Sequence, residues 1–283
     1  MTIKNENLFK TLVISDLDGT LLNNEKRITE YTEKTLNRLI GCGMNFSIAT
    51  ARTAATVQKL LSSIHVNIPV ILMNGVCVYD LHTQKYVHME SMARDAVKKL
   101  IDAVTPLQSS GFLYAIQDHE LFTFYENDAS PHATEFIRER KEGYGKVFTK
   151  VRSFYDCLDF NLVYYSVADS KENLADVYRK IESVNELRAE FYKDTYNEGY
   201  WYLEVCSRNA SKSHAVEFLR KAYGFQLVFG FGDNLNDLPL FKACDQSFAV
   251  MNAAPEVKAK ASLVIESNQE DGVAKWLEQN IRL

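Results

Sequence analysis

Apolar residues in the first 81 positions fall into short continuous runs separated by stretches with helical spacing. Residues 11–15 and 46–50 form runs typical of strands that are buried on both faces of a parallel sheet. Between them, apolar positions recur every three or four residues across 28–40, which predicts a helix that ends at the glycines following it. A second helical pattern covers 57–64, and the run at 70–73 predicts a third strand.

The pattern changes near residue 82 and changes back near residue 205. The stretch between these points mixes strand-like runs rich in Tyr and Phe with two or three helical patterns, which is typical of an α+β unit with an antiparallel sheet. The predicted strands of this stretch are 112–116, 121–125, 160–167 and 200–205. Beyond it, the predicted elements are a helix over 212–223, strand 227–231, a short helix after Asn236, strand 248–251, helix 255–261, strand 263–265 and helix 272–281.

Strands that alternate with helices indicate βαβ units on a parallel sheet, so the fold class is α/β. The first and last segments each hold only part of such a sheet. We therefore expect one sheet domain from residues 1–81 and 206–283, with residues 82–205 inserted as an α+β lid.

Composition narrows the possible partners. Apolar residues make up 46% of the 283, which is sufficient for a sizeable core. The net charge is −5, and the sequence lacks the basic stripe that nucleic-acid binding requires. Five scattered cysteines without a C-x-x-C pair favour free thiols in a reducing cytoplasm. We find neither a signal-peptide pattern nor an apolar run near the ~20 residues that span a bilayer, so a cytoplasmic protein without a membrane partner is expected. The oligomeric state has no signature in the sequence.

Two acidic motifs follow buried strand runs: DLDGT at 16–20 and GDNLND at 232–237. Together they place four carboxylates at strand ends, where unpaired charge is costly without a cation. Because the motifs offer oxygen ligands, Mg²⁺ is the expected ion. A magnesium ion held by few protein ligands normally works on phosphate, so the chain is interpreted as a phosphoryl-transfer enzyme.

The acidic residues suit distinct roles. Asp16, at the carboxyl end of a strand, is placed to attack phosphorus and form an aspartyl-phosphate. Asp18 can donate a proton to the leaving group and later take one from water. Asp233 is expected to point at the metal, and Asp237 to orient Lys212 or a metal-bound water.

Several other residues are candidates for phosphate binding. The Thr50 hydroxyl and the Ala51 backbone N–H could bond a phosphate oxygen. Lys212 is the first residue of a predicted helix, and the helix dipole disfavours a cation there. The position is favourable if the ammonium and the helix N-terminus both face an anion. Asn236 can cap a helix and donate its amide to phosphate. Arg52 could also reach the phosphate, although a solvated or ion-paired arginine is favoured.

In their order along the chain, these motifs resemble the haloacid dehalogenase (HAD) superfamily. MNG at 73–75, SK at 211–212, GDNLNDLPLF and the long insertion are similar to its Cof-type branch, subfamily IIB. The resemblance implies a Rossmann-like core with a C2-type cap and Mg²⁺-dependent hydrolysis of small phosphomonoesters, such as sugar phosphates. It departs from the common pattern at Ala51 and Ser213, where glycine is frequent.

The resemblance also implies a ligand set. Mg²⁺ would be held by the Asp16 carboxylate, the Asp18 backbone carbonyl and Asp233. The implied phosphate ligands are the Leu17 backbone, Thr50, Ala51, Lys212 and Asn236.

Three alternatives stay open on the sequence alone. A phosphotransferase or phosphomutase would use the same core and pass the phosphoryl group to a sugar hydroxyl. A glycosyltransferase would use Asp-x-Asp to bind a metal–nucleotide diphosphate, although such a motif should follow a nucleotide-binding half and here it begins at residue 16. A non-catalytic phosphosugar-binding protein would keep the site without turnover.

Overall fold

The structure is a computed structural model and describes residues 3–107, 111–127, 130–194 and 199–282. Its internal contacts divide the chain into two compact units. The first unit joins Met1–His88 to Ser211–Leu283, and the second is Met89–Ala210. The boundaries expected from the sequence, after residues 81 and 205, lie a few residues before these.

The segment up to residue 89 alternates strands with helices. Its strands are β1 (Ile3–Lys4), β2 (Thr11–Ser15), β3 (Asn45–Ile48), β4 (Val70–Leu72), β5 (Cys77–Asp80) and β6 (Lys85–Met89). Its helices are α1 (Asn5–Leu8), α2 (Glu30–Gly41) and α3 (Ala54–Leu60).

The second unit is an antiparallel sheet with helices. Its strands are β7 (Gly111–Gln117), β8 (Glu120–Tyr125), β9 (Thr149–Lys150), β10 (Leu162–Asp169), β11 (Leu187–Lys193) and β12 (Trp201–Ser207). Its helices are α4 (Arg94–Val104), α5 (Pro131–Tyr144) and α6 (Lys171–Glu182). The sheet order is β11-β12-β10-β7-β8-β9, and among the described residues only the β8–β9 pair is parallel. The apolar sides of α4 and α6 share one buried cluster with side chains of the sheet, so this unit has its own core.

The chain then returns to the first unit. Its strands here are β13 (Leu227–Gly232), β14 (Gln246–Val250), β15 (Leu263–Ile265) and β16 (Ile281–Arg282). Its helices are α7 (Lys212–Tyr223), α8 (Leu238–Ala243), α9 (Pro255–Lys258) and α10 (Gly272–Asn280).

The main sheet of the first unit is parallel, in the order β15-β14-β13-β2-β3. A parallel bridge between Ala49 and Ile71 links it to the hairpin that β4 and β5 begin. Every residue of β2 is buried, as a strand covered on both faces must be. This architecture confirms the expected α/β class with an inserted α+β segment.

Some expected boundaries differ from those observed. Helix α3 begins at Ala54 and ends at Leu60, so Leu61 and Ile64 are buried by the turns after it and not by the helix. Helix α9 ends at Lys258, three residues before the expected end, because the chain tightens into turns that lead directly into β15. Within the described residues, no helix combines the length and apolar composition that a bilayer crossing requires.

Candidate active site

The first acidic motif and the second follow neighbouring strands. Strands β2 and β13 pair in parallel, with Ser15 opposite Phe231, and the Asp16 N–H donates to the Phe231 carbonyl at 2.9 Å. Both motifs therefore leave the sheet at the same edge, where open α/β sheets carry their ligand sites.

Lys212 lies between two aspartates. Its Nζ donates to Asp16 Oδ1 and to Asp237 Oδ1, each at 2.6 Å, although Lys212 and Asp16 are 196 positions apart. The lysine side chain is 1% exposed and the Asp237 side chain 0%. Ser211 caps α7 by accepting from the His214 N–H, which fixes the first turn of the helix and so the origin of the lysine side chain.

Asp237 is held on both of its oxygens. Oδ1 accepts from Lys212, while Oδ2 accepts from the N–H groups of Asp233 and Asn234 at 3.0 and 3.1 Å. A Cβ on Gly232 would lie 2.6 Å from the Asp237 Cβ, so this position needs glycine. The carboxylate therefore ties the lysine to the backbone of the second motif.

Asp233 is oriented by the first motif. Its Oδ1 accepts from the Thr20 hydroxyl at 2.7 Å, and a Cβ on Gly19 would lie 2.4 Å from its Oδ2. Gly19 also has a φ of +78°, which favours glycine. The DLDGT turn thus packs directly against the GDNLND turn.

Burial and charge perturb these groups. Burial raises the pKa of Asp16 well above its usual value, the Lys212 ammonium opposes this, and the neighbouring aspartates add to it. Burial, with Asp237 nearby, raises the pKa of Asp233 to about 6 against the lowering by the Thr20 bond. Burial disfavours the charge on Lys212, but Asp16 and Asp237 outweigh it and raise the pKa of the ammonium.

The cluster has the composition of a cation site. Carboxylate oxygens of Asp16, Asp233 and Asp237 lie within 4.8 Å of one another. When all three carboxylates are ionised, they exceed the single ammonium by two negative charges in a mostly buried space. A hard divalent cation with oxygen ligands matches both the charge and the donor atoms. Since both Asp237 oxygens already accept hydrogen bonds, Asp16 and Asp233 are the side chains free to ligate it.

Asp18 has a different environment. Its residue is exposed, and its two oxygens accept from Arg52 Nε and from a second guanidinium nitrogen, each at 2.6 Å. The structure therefore brings Asp18 to an ion pair and not to the Lys212 cluster, while Arg52 is ion-paired as the sequence indicated.

The remaining predicted phosphate ligands lie on three turns. Thr50 is buried and its Oγ1 accepts from the Arg52 N–H at 3.2 Å, while Ala51 beside it is exposed. Leu17 opens the turn after β2 with its side chain fully buried. Asn236 is exposed on the second motif.

Two asparagines that the sequence did not single out as site residues contact these motifs. Asn74 Oδ1 accepts from Asn236 Nδ2 at 3.1 Å, and Asn252 Nδ2 donates to the Gly19 carbonyl at 2.7 Å. Both follow strand ends at the same edge of the fold, after β4 and β14. A polar residue after each predicted parallel strand was the signal that could have found them.

Comparisons with known proteins bear on what this arrangement does. A family model described as haloacid dehalogenase-like hydrolase matches residues 13–277. The 5-amino-6-(5-phospho-D-ribitylamino)uracil phosphatase YwtE of Bacillus subtilis (strain 168) is 26% identical over 278 residues, covering 93% of this chain and 96% of the relative. The pyridoxal phosphate phosphatase YbhA of Escherichia coli (strain K12) is 23% identical over 271 residues, covering 94% and 97%.

A solved structure agrees on the fold. The HAD subclass IIB sugar phosphatase BT4131 superposes with a TM-score of 0.70 over 95% of this chain and 98% of that one, at 19% identity. At this identity the likeness concerns the fold.

Proposed function

We propose a function from the premise that the chain belongs to the haloacid dehalogenase-like hydrolases and is a phosphoric monoester hydrolase. In this proposal it hydrolyses small phosphorylated metabolites through an aspartyl-phosphate on Asp16, with Mg²⁺ as cofactor. The Cof-type resemblance recognised in the motifs is confirmed by the family match and the relatives. Family membership also removes the glycosyltransferase alternative.

One observation carries the proposal: the ammonium of Lys212 bonds Asp16 and Asp237 at 2.6 Å inside a carboxylate cluster. A phosphoryl group that reaches Asp16 meets a fixed cation, which stabilises the negative charge on its oxygens without reorganisation. The same contact holds the Asp16 carboxylate in one orientation, as an in-line attack requires.

The Asp16 and Asp233 carboxylates, with the Asp18 backbone carbonyl, would hold the magnesium ion. When bound, the ion supplies positive charge that offsets the developing charge of the phosphoryl oxygens. Thr20 orients Asp233 for this role through its 2.7 Å hydrogen bond. Thr50, the Ala51 N–H, the Leu17 backbone and Asn236 are our candidates for the remaining phosphate contacts.

The reaction then runs as two displacements. In the first, an Asp16 oxygen bonds to phosphorus while the ester P–O bond breaks, and Asp18 gives its proton to the departing oxygen. In the second, Asp18 takes a proton from water, the water oxygen bonds to phosphorus, and the bond from phosphorus to Asp16 breaks, which releases orthophosphate. Asp18 must exchange its two bonds to Arg52 for contact with the leaving oxygen, so Arg52 competes with the first step.

The substrate class rests on the relatives and on the division of the chain. YwtE and YbhA are named for small phosphorylated metabolites, one of them carrying a phosphorylated ribityl group. The first unit holds every residue assigned above to chemistry or phosphate binding. We therefore assign the choice of organic group to the second unit as the cap, and sugar phosphates are the class to test first.

The test is phosphate release from an aryl phosphate and from a panel of sugar, nucleotide and cofactor phosphates. We expect Mg²⁺-dependent release that EDTA abolishes, and loss of turnover in Asp16→Asn. Asp95→Asn is the matched control, because Asp95 is an exposed helical aspartate of the second unit. Wild-type turnover in Asp16→Asn would refute the nucleophile.

Product analysis completes the test. With a sugar acceptor present, orthophosphate should remain the main product. Transfer of the phosphoryl group to the acceptor would instead identify a phosphotransferase.

A further inference from the structure

Asn74 lies in an unusual backbone segment between β4 and β5. Met73, Asn74 and Gly75 have φ values of +51°, +55° and +94°, so three successive residues occupy the left-handed region. Only glycine adopts this region freely, and asparagine tolerates it better than most side chains. Such a segment persists where its surroundings determine it, and it is often found at functional sites.

This segment contacts three parts of the chain that carry proposed phosphate ligands: the Thr50 turn, the backbone before Lys212 and the side chain of Asn236. The Asn74 N–H donates to the Thr50 carbonyl at 3.0 Å. A Cβ on Gly75 would lie 2.1 Å from the Ser211 carbonyl oxygen, so the segment packs against the backbone that leads into Lys212. The Asn74 side chain accepts from Asn236.

The Asn74–Asn236 bond is not a burial requirement. Asn236 is exposed and Asn74 is only half-buried, so water could satisfy both amides. What the bond does is orient the Asn236 amide: one N–H is directed to Asn74, which leaves the second N–H and the oxygen in a defined direction.

We propose that Asn74 is a positioning residue for phosphate binding, which fixes the positions of the Asn236 amide and the Thr50 turn beside Lys212. This inference rests on the proposed function. Asn74 itself does not contact the reacting atoms; it acts through Asn236 and through the backbone of the Thr50 turn.

The decisive variant is Asn74→Gly, because glycine keeps the positive φ while it removes the side-chain acceptor. We expect the Kd for orthophosphate, measured by calorimetry with Mg²⁺, to rise about five-fold, as expected for one lost hydrogen bond. The KM for an aryl phosphate should rise in parallel while kcat stays within about two-fold, since the contact serves ground state and transition state alike.

Gln84→Gly is the matched control. Gln84 also has a positive φ, +55°, but lies exposed in the turn between β5 and β6. We expect it to leave the Kd unchanged. If Asn74→Gly lowers the unfolding midpoint but leaves the Kd at the wild-type value, Asn74 is structural and the inference is wrong.

A double variant tests the route through Asn236. If Asn74 acts on the amide, Asn74→Gly combined with Asn236→Ala should bind orthophosphate as weakly as Asn236→Ala alone. If the double variant instead raises the Kd by the product of the two single effects, Asn74 does not act through Asn236. Because the Kd is read without turnover, wild-type protein that binds orthophosphate but hydrolyses nothing would contradict the proposed function and still test Asn74.

Discussion

Asp237→Asn isolates the bond that fixes Lys212. The variant keeps an oxygen that can accept from the Asp233 and Asn234 N–H groups, but it places an amide NH₂ where the carboxylate oxygen now accepts from the ammonium at 2.6 Å. The Lys212 and Asp237 side chains are 1% and 0% exposed, so water does not replace the lost acceptor. Lys212 is then left with Asp16 as its charged partner.

The magnitude follows from these contacts. Removing one partner of a buried ion pair costs about 3–5 kcal/mol, and a hydrogen bond to a charged group contributes about 1.5–3 kcal/mol. Because Asp16 remains, we expect the free energy of unfolding to fall by about 2–3 kcal/mol in Asp237→Asn. Asp237→Ala also leaves two backbone N–H groups without acceptors, so its loss should be about 5 kcal/mol.

Turnover should fall as well. Removing one preorganised donor from a transition state costs about 10²–10³ in kcat, and this change displaces Lys212 without deleting it, so we expect a loss of about 10–100-fold. The measurements are urea unfolding of metal-free protein and phosphate release from an aryl phosphate with Mg²⁺.

Asp245→Asn is the control for this prediction. Asp245 Oδ2 also accepts from a cation and a backbone amide, Arg220 and the Val228 N–H, each at 2.8 Å. Its side chain is 39% exposed, so its loss should cost below about 1 kcal/mol and leave turnover unchanged. Equal effects of the two variants on stability and turnover would refute the argument that burial makes the Lys212 bond important.

Two further predictions concern the metal and the Asn74 segment. Because burial raises the pKa of Asp233 to about 6, the folded protein keeps a proton that the unfolded chain releases near pH ~4, and metal-free stability should fall as pH rises between these values. Mg²⁺ should therefore raise Tm more at pH 7.5 than at pH 5, and Asp233→Asn should reduce this difference. A Tm gain independent of pH would contradict the assignment of Asp233. Gly75→Ala combines a φ of +94° with a backbone clash at 2.1 Å and should lower the free energy of unfolding by at least ~3 kcal/mol. Gly43→Ala, where φ is +98° and no atom lies near the added Cβ, should lower it by ~1 kcal/mol. Equal losses of the two variants in urea unfolding would show that the clash relaxes.

Elements with strong local signals were predictable from the sequence. Strands 11–15 and 263–265 and helix 212–223 have the expected bounds. For α7 the reason is local chemistry: the Ser211 side chain caps the first turn, and Gly224 ends the helix with a φ of +71°. Helix α9 lacks both signals: no side chain caps its first turn, and Ala259 follows it in a right-handed conformation.

The site was predictable to the extent that the topology determines it. Parallel strands end at one edge, so the meeting of Asp16, Asp233 and Lys212 followed from assigning strands and motifs. The pairing of Asp18 with Arg52 and of Asn74 with Asn236 depends on turn geometry, and hydrophobic periodicity carries no information about it.

The pairing of β2 with β13 has a consequence for synthesis of the protein. A nascent chain that has reached only Ala210 contains the whole second unit but none of β13, so the backbone edge of β2 facing that strand lacks its hydrogen-bonding partner. The second unit is one uninterrupted stretch and can complete its own sheet before residues 211–283 of the first unit have been synthesised. Asp16 acquires its ammonium partner Lys212 only at that late stage. Under the proposed mechanism, phosphatase activity therefore appears only after the first unit has been completed.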